Sequence, residues 1–159
     1  MIIIDCDSLS SFIKVDRLHL LKEFYKVEKI YTTSAVTDEL SRTDLIRKLP
    51  DWIEAITYIS ELEEEEKIGK DFEKLGRGER SCIALARGKE DVLFLVSDNE
   101  ARKIAERNGI KVVNIPAFLL ACKQSGFLDQ EEILYIVEEL GKRNHYIFRA
   151  DQRKALLKT

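Results

Sequence analysis

Two short apolar runs, Met1 to Ile4 and Val92 to Val96, proceed without polar alternation, and each stops at an aspartate: Asp5 directly, Asp98 after Ser97. A strand with one wet face alternates apolar and polar residues. An unbroken apolar run of this length is wet on neither face, which is the condition of strands in a parallel sheet covered by helices on both sides. The rest of the chain must therefore supply those helices, together with crossover connections between the strands.

The intervening pattern does so. After a polar, turn-prone stretch from Asp7 to Ser10, Leu18, Leu21, Phe24 and Tyr25 recur at helical spacing, and Ile30 to Thr33 reads as a second strand. Ser34 is placed to cap a helix whose apolar stripe is Val36, Leu40, Leu45, Ile46 and Leu49, ended by Pro50. Trp52 to Ile59 has mixed helix and strand character, and the charge-rich Glu61 to Asp71 reads as a solvated helix or connector. Leu75 to Gly78 is a turn, Glu79 to Arg87 a helix, Val92 to Val96 a strand, and Glu100 to Arg107 a helix stopped by Asn108-Gly109. Ile110 to Ile115 is a further strand, Pro116 opens a helix, and Asp129 with Glu132 makes a capping box for the helix from Glu131 to Leu140. The expected fold is a three-layer α/β/α domain with a mainly parallel sheet, a single domain over 1–159 in which 128–159 is a helical extension packed on the rest.

Composition narrows the function less than the fold. At 159 residues and 45% hydrophobic content the chain has enough apolar mass for one core. The net charge of -3 neither advertises nor excludes nucleic acid. Cys6, Cys82 and Cys122 are far apart with no metal-finger spacing, no apolar stretch reaches membrane-spanning length, and a cytoplasmic protein is expected. His19 and His145 stand apart from any partner for nucleophilic catalysis, and Gly76-Arg77-Gly78 lacks the lysine and spacing of a phosphate-cradling loop.

Four acids are the chemical signal. Asp5 and Asp98 fall at carboxyl ends of strands, where open α/β sheets bind ligands. Glu39 lies three residues after Val36 and one before Leu40, on the apolar face, whereas Asp38 projects elsewhere; Glu79 shares a face with Cys82, Ile83 and Ala86. Each has an ordinary alternative, since the aspartates suit helix caps or turns and Glu79 suits the first turn of a helix. The combination of two strand-end aspartates and two inward glutamates is better explained by one site that offsets their repulsion with a cation. An all-oxygen set favours Mg²⁺ or Mn²⁺ over zinc.

In these residues the chain resembles the PIN domains. Ile3-Ile4-Asp5-Cys6-Asp7-Ser8-Leu9 resembles the family's opening strand with its aspartate, and Ala35-Val36-Thr37-Asp38-Glu39-Leu40 its second acidic motif. Leu75-Gly76-Arg77-Gly78-Glu79-Arg80 running on to Ala86 resembles the third, and Leu95-Val96-Ser97-Asp98-Asn99-Glu100-Ala101-Arg102 the fourth. The nearest likeness is to the compact prokaryotic branch that includes toxin-type (VapC-like) proteins. Cys6 and Asp7 depart from the family pattern, in which the first of these positions is usually threonine or serine and the second serine or asparagine.

The resemblance implies a metal-dependent endoribonuclease in which Asp5, Glu39, Glu79 and Asp98 hold one or two Mg²⁺ or Mn²⁺ ions that activate water against an RNA phosphodiester, with Asp7 and Glu100 as second-choice ligands and Ser8 and Asn99 as water-orienting groups. Arg77, Arg80, Arg102 and Lys103 would form a basic rim contacting phosphates, Arg102 foremost. It also implies a possible antitoxin partner or homodimer, for which the apolar helix around Ile133, Leu134, Ile136 and Val137 is a candidate surface. Two rivals stand beside it. One is a haloacid-dehalogenase-type phosphatase using Asp5 and Asp7, with Thr32 or Thr33 in its second motif. The other is a non-catalytic nucleic-acid-binding PIN domain, suggested by Cys6 and the mildly acidic charge.

Overall fold

A computed structural model describes residues 1–57 and 69–158. Five parallel strands form one sheet: β1 (Ile2–Ile4), β2 (Ile30–Thr33), β3 (Ile53–Ile56), β4 (Leu93–Leu95) and β5 (Lys111–Val113), in the order β3-β2-β1-β4-β5. Ile2, Ile3 and Ile4 face Leu93, Phe94 and Leu95 in register, and Ile3 faces Tyr31 on the other side. All three isoleucines are buried, as the unbroken apolar run requires. Helices flank the sheet, giving the expected three-layer α/β/α architecture, with every strand pair parallel.

The chain runs outward from β1 through β2 to β3, then returns to place β4 on the opposite side of β1. Strand order thus reverses between β1 and β4, and the connections that leave their carboxyl ends diverge to open a crevice there.

Helix α1 (Cys6–Lys14) begins one residue after β1, because the side chain of Asp5 accepts a hydrogen bond from Ser8 N and caps it. The turn-prone Asp7 to Ser10 is therefore the first turn of a helix, since the residues that favour turns also favour helix starts. Helix α2 (His19–Tyr25) follows. Helix α3 (Ser34–Leu40) is capped by Thr33, whose Oγ1 accepts from Val36 N, and Ser34 is its first residue rather than its cap. The expected long stripe through Leu49 is broken: Ser41 Oγ donates to Asp38 O and Thr43 Oγ1 to Leu40 O, closing α3 at Leu40, and a 3₁₀ turn over Asp44–Lys48 carries Leu45 and Ile46 onto the core.

Of the segment Trp52 to Ile59, Ile53–Ile56 is the edge strand β3, paired along its length with β2; residues 58–68, including most of the charge-rich run, lie outside the described residues. Helices α4 (Arg77–Ala86), α5 (Asn99–Arg107) and α6 (Ile115–Gln124) follow, the last capped by Asn114. The chain closes with α7 (Gln130–Asn144), capped by Asp129, and α8 (Ala150–Leu157). Ile133, Ile136, Val137 and Leu140 of α7, with Phe148 and Leu156, join the same buried cluster as the sheet. Three of the four residues read as a candidate partner surface, Ile133, Ile136 and Val137, are therefore core residues; Leu134 is 41% exposed beside Tyr135 at 46%. Among the described residues no helix is long and apolar enough to cross a membrane.

Candidate active site

Asp5 occupies the switch point itself. Its backbone N–H donates to Leu95 O of β4, and its carboxylate receives Ser8 N at 2.8 Å on Oδ1 and Ser97 N at 3.1 Å on Oδ2. One side chain thus fastens the end of β1, the start of α1 and the loop after β4 to one another. At 1% exposure it is a buried charge, and desolvation is the main cause that pushes its pKa up to about 6, against the opposing hydrogen bonds from Ser8 and Ser97.

Asp98 caps α5, its Oδ2 accepting from Ala101 N at 3.2 Å. Glu79, in the first turn of α4, accepts from Gly76 N at 3.3 Å. Burial, followed by the negative charges of Asp98 and Asp5, raises its carboxyl to about 7. The ordinary capping roles and a shared acidic centre therefore coexist: each carboxylate is held in place by a backbone N–H while feeling the others' charge.

Glu39 stands one residue before the end of α3 and is exposed at the rim, so its position on the apolar face does not bury it. It lines, with Asp5, Cys6, Asp7, Gly76, Gly78 and Glu79, a small cavity of about 60 Å³. Asp7 is drawn in as well: desolvation first, then the charges of Glu39 and Asp98, raise its pKa. Cys6, which replaces the usual hydroxyl residue, donates its thiol to Glu39; burial and that carboxylate push the thiol up to about 12, so it stays a protonated donor. Gly78 brings α4 close to α3: a Cβ there would be in ordinary contact with Val36 Cγ2 at 3.4 Å and with Glu39 Oε1 at 3.8 Å. Beneath it, Thr33 and Ser81 share a buried 2.6 Å hydrogen bond that joins β2 to α4, and Ser81 Oγ donates to Gly78 O.

The residues fit a divalent cation in chemistry and in space. The cavity has room for an ion with one or two waters and not for an organic ligand. Its charged lining is carboxylate, and the upward shifts of Asp5, Asp7 and Glu79 come first from burial and then from neighbouring like charges, both of which a bound cation would offset. The carboxylates ring the space without forming a tight cage: among the described residues no group of three or more acidic, histidine or cysteine side chains is drawn together at ligand spacing.

Other candidate residues lie elsewhere. Glu100, on the second residue of α5, pairs with Lys103 at 3.7 Å, and both line a separate hollow with Asp71, Glu106 and Arg107. Asn99 is exposed, while Ser8 is buried with its hydroxyl on Ser97 Oγ at 3.0 Å. Arg77 reaches Asp38 at 3.7 Å, Arg102 lies 3.9 Å from Glu106 on its own helix, and Arg80 is half-buried. None of the four basic candidates lines the acidic cavity. The phosphatase alternative loses its footing, because both oxygens of Asp5 are engaged by backbone N–H groups in a buried position and Thr33 is a helix cap bonded to Ser81. Sequence reading missed Lys14 and the stretch Asn144 to Ile147, which the fold brings beside Asp7 and Ser97; its one available signal was the aromatic character of the segment from Tyr146.

A parallel sheet with carboxylates gathered at its switch point defines an acidic-centre α/β domain of the kind that nucleases use. The PIN-domain family model matches residues 1–159, and the chain belongs to that family. PIN domains are usually nucleases and typically use divalent metals. Comparison with curated proteins and with solved structures finds no match.

Proposed function

We propose that this chain is a metal-dependent endoribonuclease of the toxin-type (VapC-like) branch, acting as a single domain in the cytoplasm. The observation that carries this reading is a cavity sized for an ion at the switch point of the sheet, lined by the carboxylates of Asp5, Asp7, Glu39 and Glu79, with Asp98 outside the lining but close enough for its charge to act on Asp7 and Glu79. Asp5, Glu39, Glu79 and Asp98 would hold one or two Mg²⁺ or Mn²⁺ ions, with Asp7 in reserve. When bound, the metal supplies a water of lowered pKa and neutralises charge on the phosphodiester.

The chain's own groups prepare for that. Ser8 and Ser97 N–H groups fix the Asp5 carboxylate, Ala101 N–H fixes Asp98, Gly76 N–H holds Glu79, and the Cys6 thiol steers Glu39. Phosphates away from the scissile bond would be met by Arg102, Arg80, Arg77 and Lys103, none of which competes for space in the cavity. The exposed pair Leu134 and Tyr135 on α7 is the proposed seat of an antitoxin or a second copy of the chain.

Asp98→Asn tests the reading sharply, because asparagine caps helices as well as aspartate does and α5 is kept. Mn²⁺-dependent cleavage of single-stranded RNA should fall by about 100-fold or more, with the melting temperature little changed. Cleavage that survives Asp98→Asn, or that persists in EDTA, would sink it.

A further inference from the structure

Beside the acidic cavity lies a second hollow, of about 440 Å³, that shares Asp7 with it and is bounded by Ser97 on the β4 side. Its far wall is built by α1 and by the segment leaving α7: Lys14, His145, Tyr146 and Ile147. The wall is held in place. Asn144 Nδ2 donates to Ser11 Oγ at 2.6 Å, Lys14 Nζ donates to Asn144 Oδ1 at 3.1 Å, and Tyr146 N donates to Leu140 O at 3.1 Å. The Tyr146 ring rests on the buried Phe148, with centroids 4.7 Å apart. Ile147 is 88% exposed, the most exposed large apolar side chain among the described residues. None of the described residues covers it.

This hollow differs in kind from its neighbour. The acidic cavity admits an ion, whereas this one has the volume of an organic ligand site. It offers an aromatic ring, an uncovered aliphatic side chain, a lysine and a histidine, which is the mixture of stacking surface and phosphate-directed charge found where unpaired bases bind. Its position matters as much. Tyr146 shares the hollow with Asp7, which also lines the acidic cavity, and with Ser97, whose N–H holds the Asp5 carboxylate, so the ring stands beside the proposed reaction centre.

We propose that Tyr146 and Ile147, with Lys14 and His145, form a subsite for the unstacked base and adjoining phosphate of the nucleotide next to the scissile bond in single-stranded RNA. This rests on the reading of the acidic centre as an RNA-cleaving site, and it gives the segment after α7 a direct part in substrate choice. A duplex cannot use the subsite, because its bases are already stacked and paired.

The test uses the full chain and a fluorescein-labelled eight-nucleotide oligouridylate, with binding followed by anisotropy in EDTA so that no cleavage intervenes. Tyr146→Leu and Ile147→Asp should each weaken binding about tenfold, Tyr146→Phe should restore it to within about twofold, and an RNA hairpin should bind about tenfold more weakly than the single strand. Ile147→Asp alters a side chain that the fold does not use, so it remains decisive if Tyr146→Leu fails to fold. Affinity unchanged in Ile147→Asp and Tyr146→Leu, equal affinity for the hairpin, or no binding by the unaltered chain would overturn the subsite. The RNA-cleaving reading is scored separately by Mn²⁺-dependent cleavage: binding that depends on Tyr146 without any cleavage would remove the nuclease reading and leave the base-binding wall in place.

Discussion

In the absence of metal, the stability of this domain should fall as pH rises through neutrality, the reverse of what salt-bridged carboxylates produce. Asp5 has its pKa raised from 3.8 to about 6 by burial, so the folded chain holds that proton more tightly than the unfolded chain does. The difference is about 3 kcal/mol, fully present below pH 3.8 and lost as pH rises through 6; about 1.4 kcal/mol of it disappears between pH 5 and pH 8. Glu79, raised from 4.5 to about 7, acts in the same direction, reduced by solvent screening because it is only half-buried. Urea unfolding in EDTA at intervals from pH 5 to pH 8 measures the slope. Asp5→Asn should remove the Asp5 share of it, and part of the Glu79 share, since Asp5 is one of the charges acting on Glu79. The carboxamide has one acceptor oxygen for two N–H donors, Ser8 and Ser97, which costs about 1–3 kcal/mol at every pH; the comparison therefore lies in slopes and not in absolute stability. Mg²⁺ should flatten the slope by stabilising the ionised form at the alkaline end. A wild-type chain that gains stability from pH 5 to pH 8 in EDTA, or an Asp5→Asn variant with the full slope, would refute the reasoning.

Substitutions at two further positions probe the support of the site. Ser81 Oγ spends its hydrogen on Gly78 O, so Thr33 must donate to Ser81 while accepting from Val36 N; Thr33→Val should cost about 1–2 kcal/mol in chemical denaturation, and a loss below ~0.5 kcal/mol would show that this buried pair is not structural. Gly78→Ala places a methyl at ordinary contact distance and gains helix propensity, so stability should change by less than about 1 kcal/mol, whereas Gly78→Leu should force α3 from α4 and lower the melting temperature by several degrees or more, read by thermal unfolding.

How far the sequence disclosed this molecule depended on the range of the interaction. Burial on both faces leaves an unbroken apolar run, so β1 and β4 and the aspartates at their ends were legible. β3 was not, because Ile53, Ile56 and Ile59 recur at a spacing of three that a helix would also show, and only pairing with β2 decides it. The start of α1 was obscured because Asp7 and Ser8 suit turns and first helical turns equally. Face counting found Glu39, but exposure depends on where α3 ends, and the hydroxyls of Ser41 and Thr43 end it one residue later. The basic residues nearest the acids in sequence do not line the cavity. Lys14 stands two turns from Asp7 on α1, but the stretch Asn144 to Ile147 comes beside them through contacts such as Lys14 with Asn144, 130 residues away, that no local pattern encodes.

The strand order also sets a schedule. β1 leaves the ribosome before the other four strands of this sheet, yet it ends in the middle of the sheet, and the edge that β4 must cover stays open until residue 95 has emerged. Pairings between such distant segments close late. Until then Asp5 lacks Ser97 N, and Glu79 has no Asp98 to face. A nascent chain of this design would thus have no complete acidic centre until residue 98 has emerged and β4 has paired with β1.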